Sequence, residues 1–402
     1  MNIGCYILGH LLAIKLIIRW SKGYRPPRWG DSVSGHGGHS WEVKTLVAPR
    51  PTLYLVGLTL AILAYCLVSA LNARATYQPS AQSFAYHSYI PWLPHSLDST
   101  RTWFAFWSYL GLACAFWAIR DWLLGMSETE QRIARQASSA GGKGRGSVFP
   151  VRLRRMLWVL AINGALIALE GILQRLEGGG KLLFLVKPTV NPGAAAQFGP
   201  YAYRANAAQY VNLLWPVCLG LWWTLHCSRR AGAKAHHVLL VCGALMAACP
   251  IVSTSRGGAL ITVGLIFAAA LLLGLTRFLQ SARRREEGRG RWLTLTLLIL
   301  FAVASLGIGY GLGWKTLKPR MKEIQDGFQY REDIYDAARP MARDYPLFGT
   351  GPGTFETVFQ LYRISPETYW PAQLHNDWLE TRITFGWAGL CLILSAFAVI
   401  GL

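Results

Sequence analysis

Nine runs of mainly apolar residues recur along the chain, near 1–18, 51–70, 103–124, 156–174, 208–226, 238–252, 257–276, 292–312 and 381–402. Runs of roughly 20 residues match the thickness of a bilayer only as helices, because backbone polar groups in hydrocarbon need partners within their own segment. A membrane barrel would instead alternate polar and apolar residues over strands of about ten. The runs predict an all-α, polytopic transmembrane helical bundle of about nine spans, in which 238–252 is short. Run 1–18 reads as a first span rather than a cleaved leader, since Lys15 interrupts its apolar end and no small-residue cleavage site follows. Composition agrees: 52% of the residues are hydrophobic and only 15% charged, too apolar for an ordinary soluble domain.

A formal net charge of +20 raises nucleic-acid binding as a question. Its distribution answers otherwise. Loops 19–50, 125–155, 227–237 and 277–291 hold about 22 Lys and Arg, whereas 71–102, 175–207, 253–256 and 313–380 hold about 15 over a much greater length. The positive-inside rule assigns the first set to the cytoplasm and the second to the outside, so the charge reads as topology, with no nucleic-acid partner. QASSAGGKGRGS, 136–147, reads as a flexible cytoplasmic linker. The eight cysteines lie in or beside apolar runs with no CxxC spacing, which argues against a disulfide scaffold or a zinc site. In the long outer loop 313–380, Ile324, Phe328, Tyr335, Ala338 and Met341 recur at helical spacing and predict an amphipathic surface helix.

Three polar features sit where a purely structural membrane helix would not hold them. GPYAYRANAAQY puts Arg204 at the outer start of the fifth span, with Asn206 close behind; alone, this Arg reads as snorkelling to headgroups. STSRGGAL puts Arg256 in a short turn between two apolar runs, where an Arg normally faces a cavity, a partner charge or an anion. HNDWLE offers the imidazole of His375 and the carboxylates of Asp377 and Glu380 at the start of the last span, with Asn376 or Asp377 as its N-cap. The charge-derived topology brings Arg204, Arg256 and His375 to one outer face. Two fixed cations and a base there suit a phosphorylated, membrane-anchored substrate. GTGPG, with Gly351 at its centre, reads as a structural turn or a phosphate-binding nest. Arg331 on the preceding helix adds positive potential or merely a wetted face. No acidic cluster has the spacing of a metal site, so no metal and no cofactor are expected.

GPYAYRANAAQYVNLLWP, STSRGGAL, DYPLFGTGPGTFETVFQLY and HNDWLETRITFGWAGL, in that order, resemble the core of the O-antigen ligase and polymerase superfamily. The resemblance covers roughly 151–402, with 1–150 as N-terminal membrane helices bearing basic cytoplasmic loops. It implies a GT-C-like, metal-independent glycosyltransferase of the cytoplasmic (inner) membrane, active on its periplasmic face. The donor would be an undecaprenyl pyrophosphate-linked glycan, and the acceptor a lipid A core, a protein or another glycan; membrane lipids surround the protein. Carried over by motif, Arg204, Arg256 and His375 form the catalytic set, with Arg331, Asn206, Asn376, Asp377, Glu380 and Gly351 around the substrate. Ala205 stands where relatives often have Asn beside the first Arg. Relatives also commonly continue past the span that ends at Leu402, which implies a fragment or a short member. Ligase and polymerase readings both stay open, as do an anion transporter of the bicarbonate type and a non-catalytic scaffold.

Overall fold

The computed structural model describes residues 2–23, 28, 49–132, 150–189, 191, 193–227, 234–283, 288–363 and 372–401. The linker expected at 136–147 and much of the basic loops fall outside them. The described residues are mostly helical, joined by turns and irregular loops, with one antiparallel hairpin, β1 (Ala75–Gln78) with β2 (Ser83–Tyr86). Eight helices among them are long and apolar enough to cross a membrane. The chain divides into two compact units, Met1–Arg152 with Gly327–Leu402, and Leu153–Asp326.

In the first unit α1 (Asn2–Lys22), α2 (Pro49–Leu71) and α3 (Ser99–Leu124) pack together. Asp98 caps α3, accepting the Thr100 and Arg101 N–H groups at 3.1 and 3.4 Å. Near the other end of α3, Asp121 accepts Lys15 at 2.5 Å and Arg19 at 2.9 Å, and pairs with Arg28. The Lys15 that interrupts the first apolar run therefore has a carboxylate partner. The ends of the first and third spans that the charge rule puts on one side meet here.

Residues 327–402 return to this unit because their apolar faces find partners in it. Phe385 stacks on Tyr65 at 5.7 Å. Ile334, Ala338, Met341, Phe355 on the short α11 (Phe355–Val358) and Ile383 form one core with Leu97. The amphipathic helix exists as α10 (Ile324–Asp344), but Phe328 is exposed and the buried face is Ile334, Ala338 and Met341.

The second unit holds α4 (Val151–Glu177, from Leu153), α5 (Arg204–Cys227), α6 (Val238–Val252), α7 (Arg256–Arg283) and α8 (Gly288–Gly309). Short α6 is buried along most of its length beside α5, α7 and α8, so its 15 residues need not match the bilayer by themselves. The expected span 208–226 is present as the 24-residue α5, yet it is not among the eight apolar helices. Its polar Asn212 is buried against α7 rather than lipid, and Trp215 and Trp222 are fully buried. That is why nine apolar runs yield eight apolar helices.

The chain also stays helical past 313. From α8 the chain continues through a wide turn, Tyr310–Trp314, into α9 (Lys315–Lys322). Gly313 allows this, since a Cβ there would lie 2.5 Å from the Ile251 carbonyl oxygen.

Candidate functional site

In the second unit the two predicted arginines each open a helix, Arg204 at α5 and Arg256 at α7, with no acidic residue in either first turn. The N–H groups and dipoles of both helix starts add to their positive charge. Thr254 adopts φ 59 before Arg256, and Ser255 caps α7 by accepting the Gly258 N–H at 3.3 Å. The two helices are held in contact by a buried network. Asn212 donates to the Gly258 carbonyl at 3.0 Å and accepts from Thr262 at 2.6 Å and from the Trp215 indole at 3.2 Å. A Cβ on Gly258 would lie 2.5 Å from that of Ala208, so only Gly permits this approach.

Two further arginines join them. Arg175, near the end of α4, donates to the carbonyls of Ala194, Ala195, Gln197 and Ser253 at 2.9–3.1 Å. Arg204 bonds the same Ala195 carbonyl. Arg256 Nη1 donates to the Glu323 carbonyl at 2.5 Å and to that of Arg320 at 3.4 Å, while Arg320 reaches back to the Thr254 carbonyl at 3.3 Å. Four guanidiniums from four elements thus share one end of the unit, and none forms an ion pair with a carboxylate among the described residues.

The electrostatic consequence is visible at Arg204. Burial, then the like charges of Arg320 and Arg175, pull its guanidinium down to about 10. Backbone carbonyls satisfy part of each donor set without neutralising it. Among the described residues Arg175 Nε is buried with no partner, and Arg204 makes one hydrogen bond with its five N–H groups. Such a cluster favours a multiply charged anion. Asn206 stands exposed on the first turn of α5.

Arg175 and Arg320 were not singled out from sequence. Each sits beside an apolar run on the outer face by the charge rule. That position was the available signal, but nothing in their spacing tells that four separated arginines meet.

In the first unit His375 stands before α12 (Asp377–Gly401) at φ 61, a left-handed conformation that is strained for a residue with a side chain. Its surroundings hold it there. Tyr335 donates to its carbonyl at 3.2 Å. Asn376 is the N-cap, accepting the Leu379 N–H at 3.2 Å, and Glu380 accepts the Leu374 N–H at 2.9 Å. Asn376 and Glu380 therefore shape the turn, while His375 and Asp377 are only partly covered. Burial and then the positive charge of Arg331, one turn from Tyr335 on α10, hold the His375 imidazole below its ordinary value, with Asp377 opposing. That direction favours the neutral imidazole.

GTGPG ties this turn into the fold. Leu97 donates to the Thr350 carbonyl at 2.8 Å, and the N–H groups of Thr350 and Gly351 donate to Ile383 and Thr384 at 2.9 and 3.0 Å. With its N–H committed and a Cβ excluded by Ser96, Gly351 fits the structural-turn reading. α12 breaks at Gly386 (φ 62), and the Trp387 and Ala388 N–H groups freed there donate to Pro346 and Leu347 at 3.0 and 3.1 Å. The Tyr65 hydroxyl bridges both sides, 2.8 Å from the Phe348 and Phe385 carbonyls.

Of the predicted residues, Arg204 and Arg256 come together in one unit, and His375, Arg331, Asn376, Asp377 and Glu380 in the other. Residues 241–394 match the family model described as O-Antigen ligase. The matched stretch includes Arg256, Arg320, Arg331, Gly351 and His375, and excludes Arg175 and Arg204. No curated protein and no solved structure matches the chain.

Proposed function

From an O-antigen ligase match over residues 241–394, we propose that this membrane protein transfers a glycan from a polyprenyl pyrophosphate carrier, undecaprenyl pyrophosphate in bacteria, to an acceptor hydroxyl. The supporting observation is the cluster of Arg175, Arg204, Arg256 and Arg320 at the starts of two helices, without a carboxylate partner among the described residues. A pyrophosphate leaving group gains negative charge as its bond to the anomeric carbon breaks. Fixed guanidiniums stabilise that charge, and they do so more in the transition state than in the bound donor.

The acceptor oxygen attacks the anomeric carbon opposite the leaving oxygen, which inverts the centre. The hydroxyl proton passes to a base, and polyprenyl pyrophosphate departs with the bonding electrons. Neutral His375 is the base in this scheme, with partial burial and then Arg331 favouring its uncharged form and the charge of Asp377 favouring the resulting imidazolium. Arginines carry the charge, so the scheme calls for no metal at the phosphates. Asn206 contacts the donor beside Arg204. A lipid A core, a protein or a second lipid-linked glycan can supply the hydroxyl; the ligase-like reaction is the reading adopted, and a polymerase differs only in that acceptor. The outer, periplasmic face of the cytoplasmic membrane is the side on which the charge rule puts both centres.

The test is consumption of an undecaprenyl pyrophosphate-linked glycan in proteoliposomes by Arg204→Ala, Arg256→Ala and His375→Ala proteins. Each is expected to lose transfer by about 100-fold or more. Undiminished transfer in all three ends this mechanism.

A further inference from the structure

At the opposite end of α5 from Arg204, about 33 Å along the helix, stands a second cluster that the transfer chemistry does not use. His226 lies in the last turn of α5, and His236 and His237 close the single turn Lys234–His237 that leads into α6. One imidazole nitrogen from each lies within 4.8 Å of the others. We propose that these three histidines form a binding site for a transition-metal dication of the zinc(II) class.

One pair of nitrogens already has the separation of two ligands on a shared centre, and the third lies within reach of both. His226 Nδ1 and His236 Nε2 are 3.4 Å apart. Two nitrogens each 2.0–2.1 Å from a tetrahedral ion lie about 3.3–3.4 Å apart. The other nitrogen of His226, Nε2, is 3.0 Å from Thr294 Oγ1 on α8. With that nitrogen protonated and donating to Thr294, the Nδ1 lone pair faces His236, the second-sphere arrangement that fixes a metal-binding tautomer.

Trp222 stacks on the His226 ring, centroids 5.0 Å apart and planes 14° apart, and limits its rotation. Its indole nitrogen is 3.3 Å from His237 Nδ1, a long contact that coordination through Nδ1 replaces. The ligand set is imidazole alone. It suits zinc(II), copper(II) or nickel(II) and not the oxygen-seeking magnesium and calcium ions. Three protein nitrogens leave the fourth position to water.

No metal-site spacing marks this cluster in the sequence, because His226 is separated from His236 by ten positions and from any cysteine pattern. Aromatic packing of three histidines on Trp222 is the competing explanation, and it predicts no metal binding. A bound ion would fasten the end of α5 to the start of α6, with α8 joined through Thr294.

The experiment uses the full chain purified in detergent with a tag free of histidine and stripped with EDTA. Zinc(II) is titrated against a chromophoric chelator, and cobalt(II) is added separately to read its visible absorption. The expected result is one tight zinc equivalent, a tetrahedral cobalt spectrum and a raised melting temperature. Affinity should fall at least tenfold in His226→Asn and His236→Asn, and the tight equivalent should vanish in the triple asparagine variant. The proposal is overturned if the wild-type protein binds no stoichiometric zinc and gives no tetrahedral cobalt band, or if the triple variant binds zinc equally well. Cobalt absorption is read on the wild-type chain, so a variant that misfolds leaves the test intact.

Discussion

His375 combines an unfavourable backbone conformation with an imidazole whose neutral form is favoured, and both properties carry predictions. Left-handed φ favours glycine over alanine by about 1 kcal/mol, so His375→Gly should melt above His375→Ala while both lose transfer. A base is active when neutral, and burial followed by Arg331 holds the imidazole below 6.5. Transfer should therefore fall only as pH drops through that lowered value. Removing the Arg331 charge relieves the depression, so Arg331→Gln should move the acid limb upward; an unmoved limb would separate Arg331 from the titration. Arg256 was legible in sequence because a charge between two apolar runs has few structural uses. Asn376 was legible as one of two possible caps, and its bond to the Leu379 N–H decides between them.

At the scale of elements, the broken α12 and the loop 346–351 behave as one part. The helix gives up its regular bonds at Gly386, and the loop supplies replacements from Pro346 and Leu347. Interrupted membrane helices also line ion pathways in transporters, but here the Trp387 and Ala388 N–H groups are paired with protein. Tyr65→Phe removes the hydroxyl that touches the Phe348 and Phe385 carbonyls and should lower stability by about 1–3 kcal/mol. Gly349→Ala should be worse, since φ is 69 and a Cβ would lie 2.5 Å from the Thr384 carbonyl carbon. Thermal unfolding in detergent ranks the two. In sequence the apolar run 292–312 stops inside GIGYGLGW, and the loop is expected to begin at 313. In the fold Gly313 lets the helix close on Ile251 and continue to Lys322. A glycine that ends a helix and one that admits a neighbour look alike until the neighbour is known.

For the whole molecule, helix class and most spans were legible because burial in lipid leaves a long, uninterrupted apolar run. What escaped was whatever depends on contacts between distant runs. α5 is polar where it faces α7, and the arginine cluster is assembled from the ends of α4 and α9 and the starts of α5 and α7. Asp121 is a test at this scale: Asp121→Asn leaves Lys15, Arg19 and Arg28 without their carboxylate. With Lys15 partly exposed, a loss on the order of 2 kcal/mol is expected, read as a lower melting temperature. The central claim is that the arginine cluster holds a pyrophosphate, and binding to the full chain in nanodiscs measures it most directly. Undecaprenyl pyrophosphate should bind more tightly than the monophosphate, and the monophosphate more tightly than the free alcohol. Arg204→Ala and Arg256→Ala should each weaken the pyrophosphate at least tenfold, while His375→Ala keeps binding and loses transfer. Equal affinity for pyrophosphate and alcohol, or wild-type binding in both arginine variants, would contradict the account.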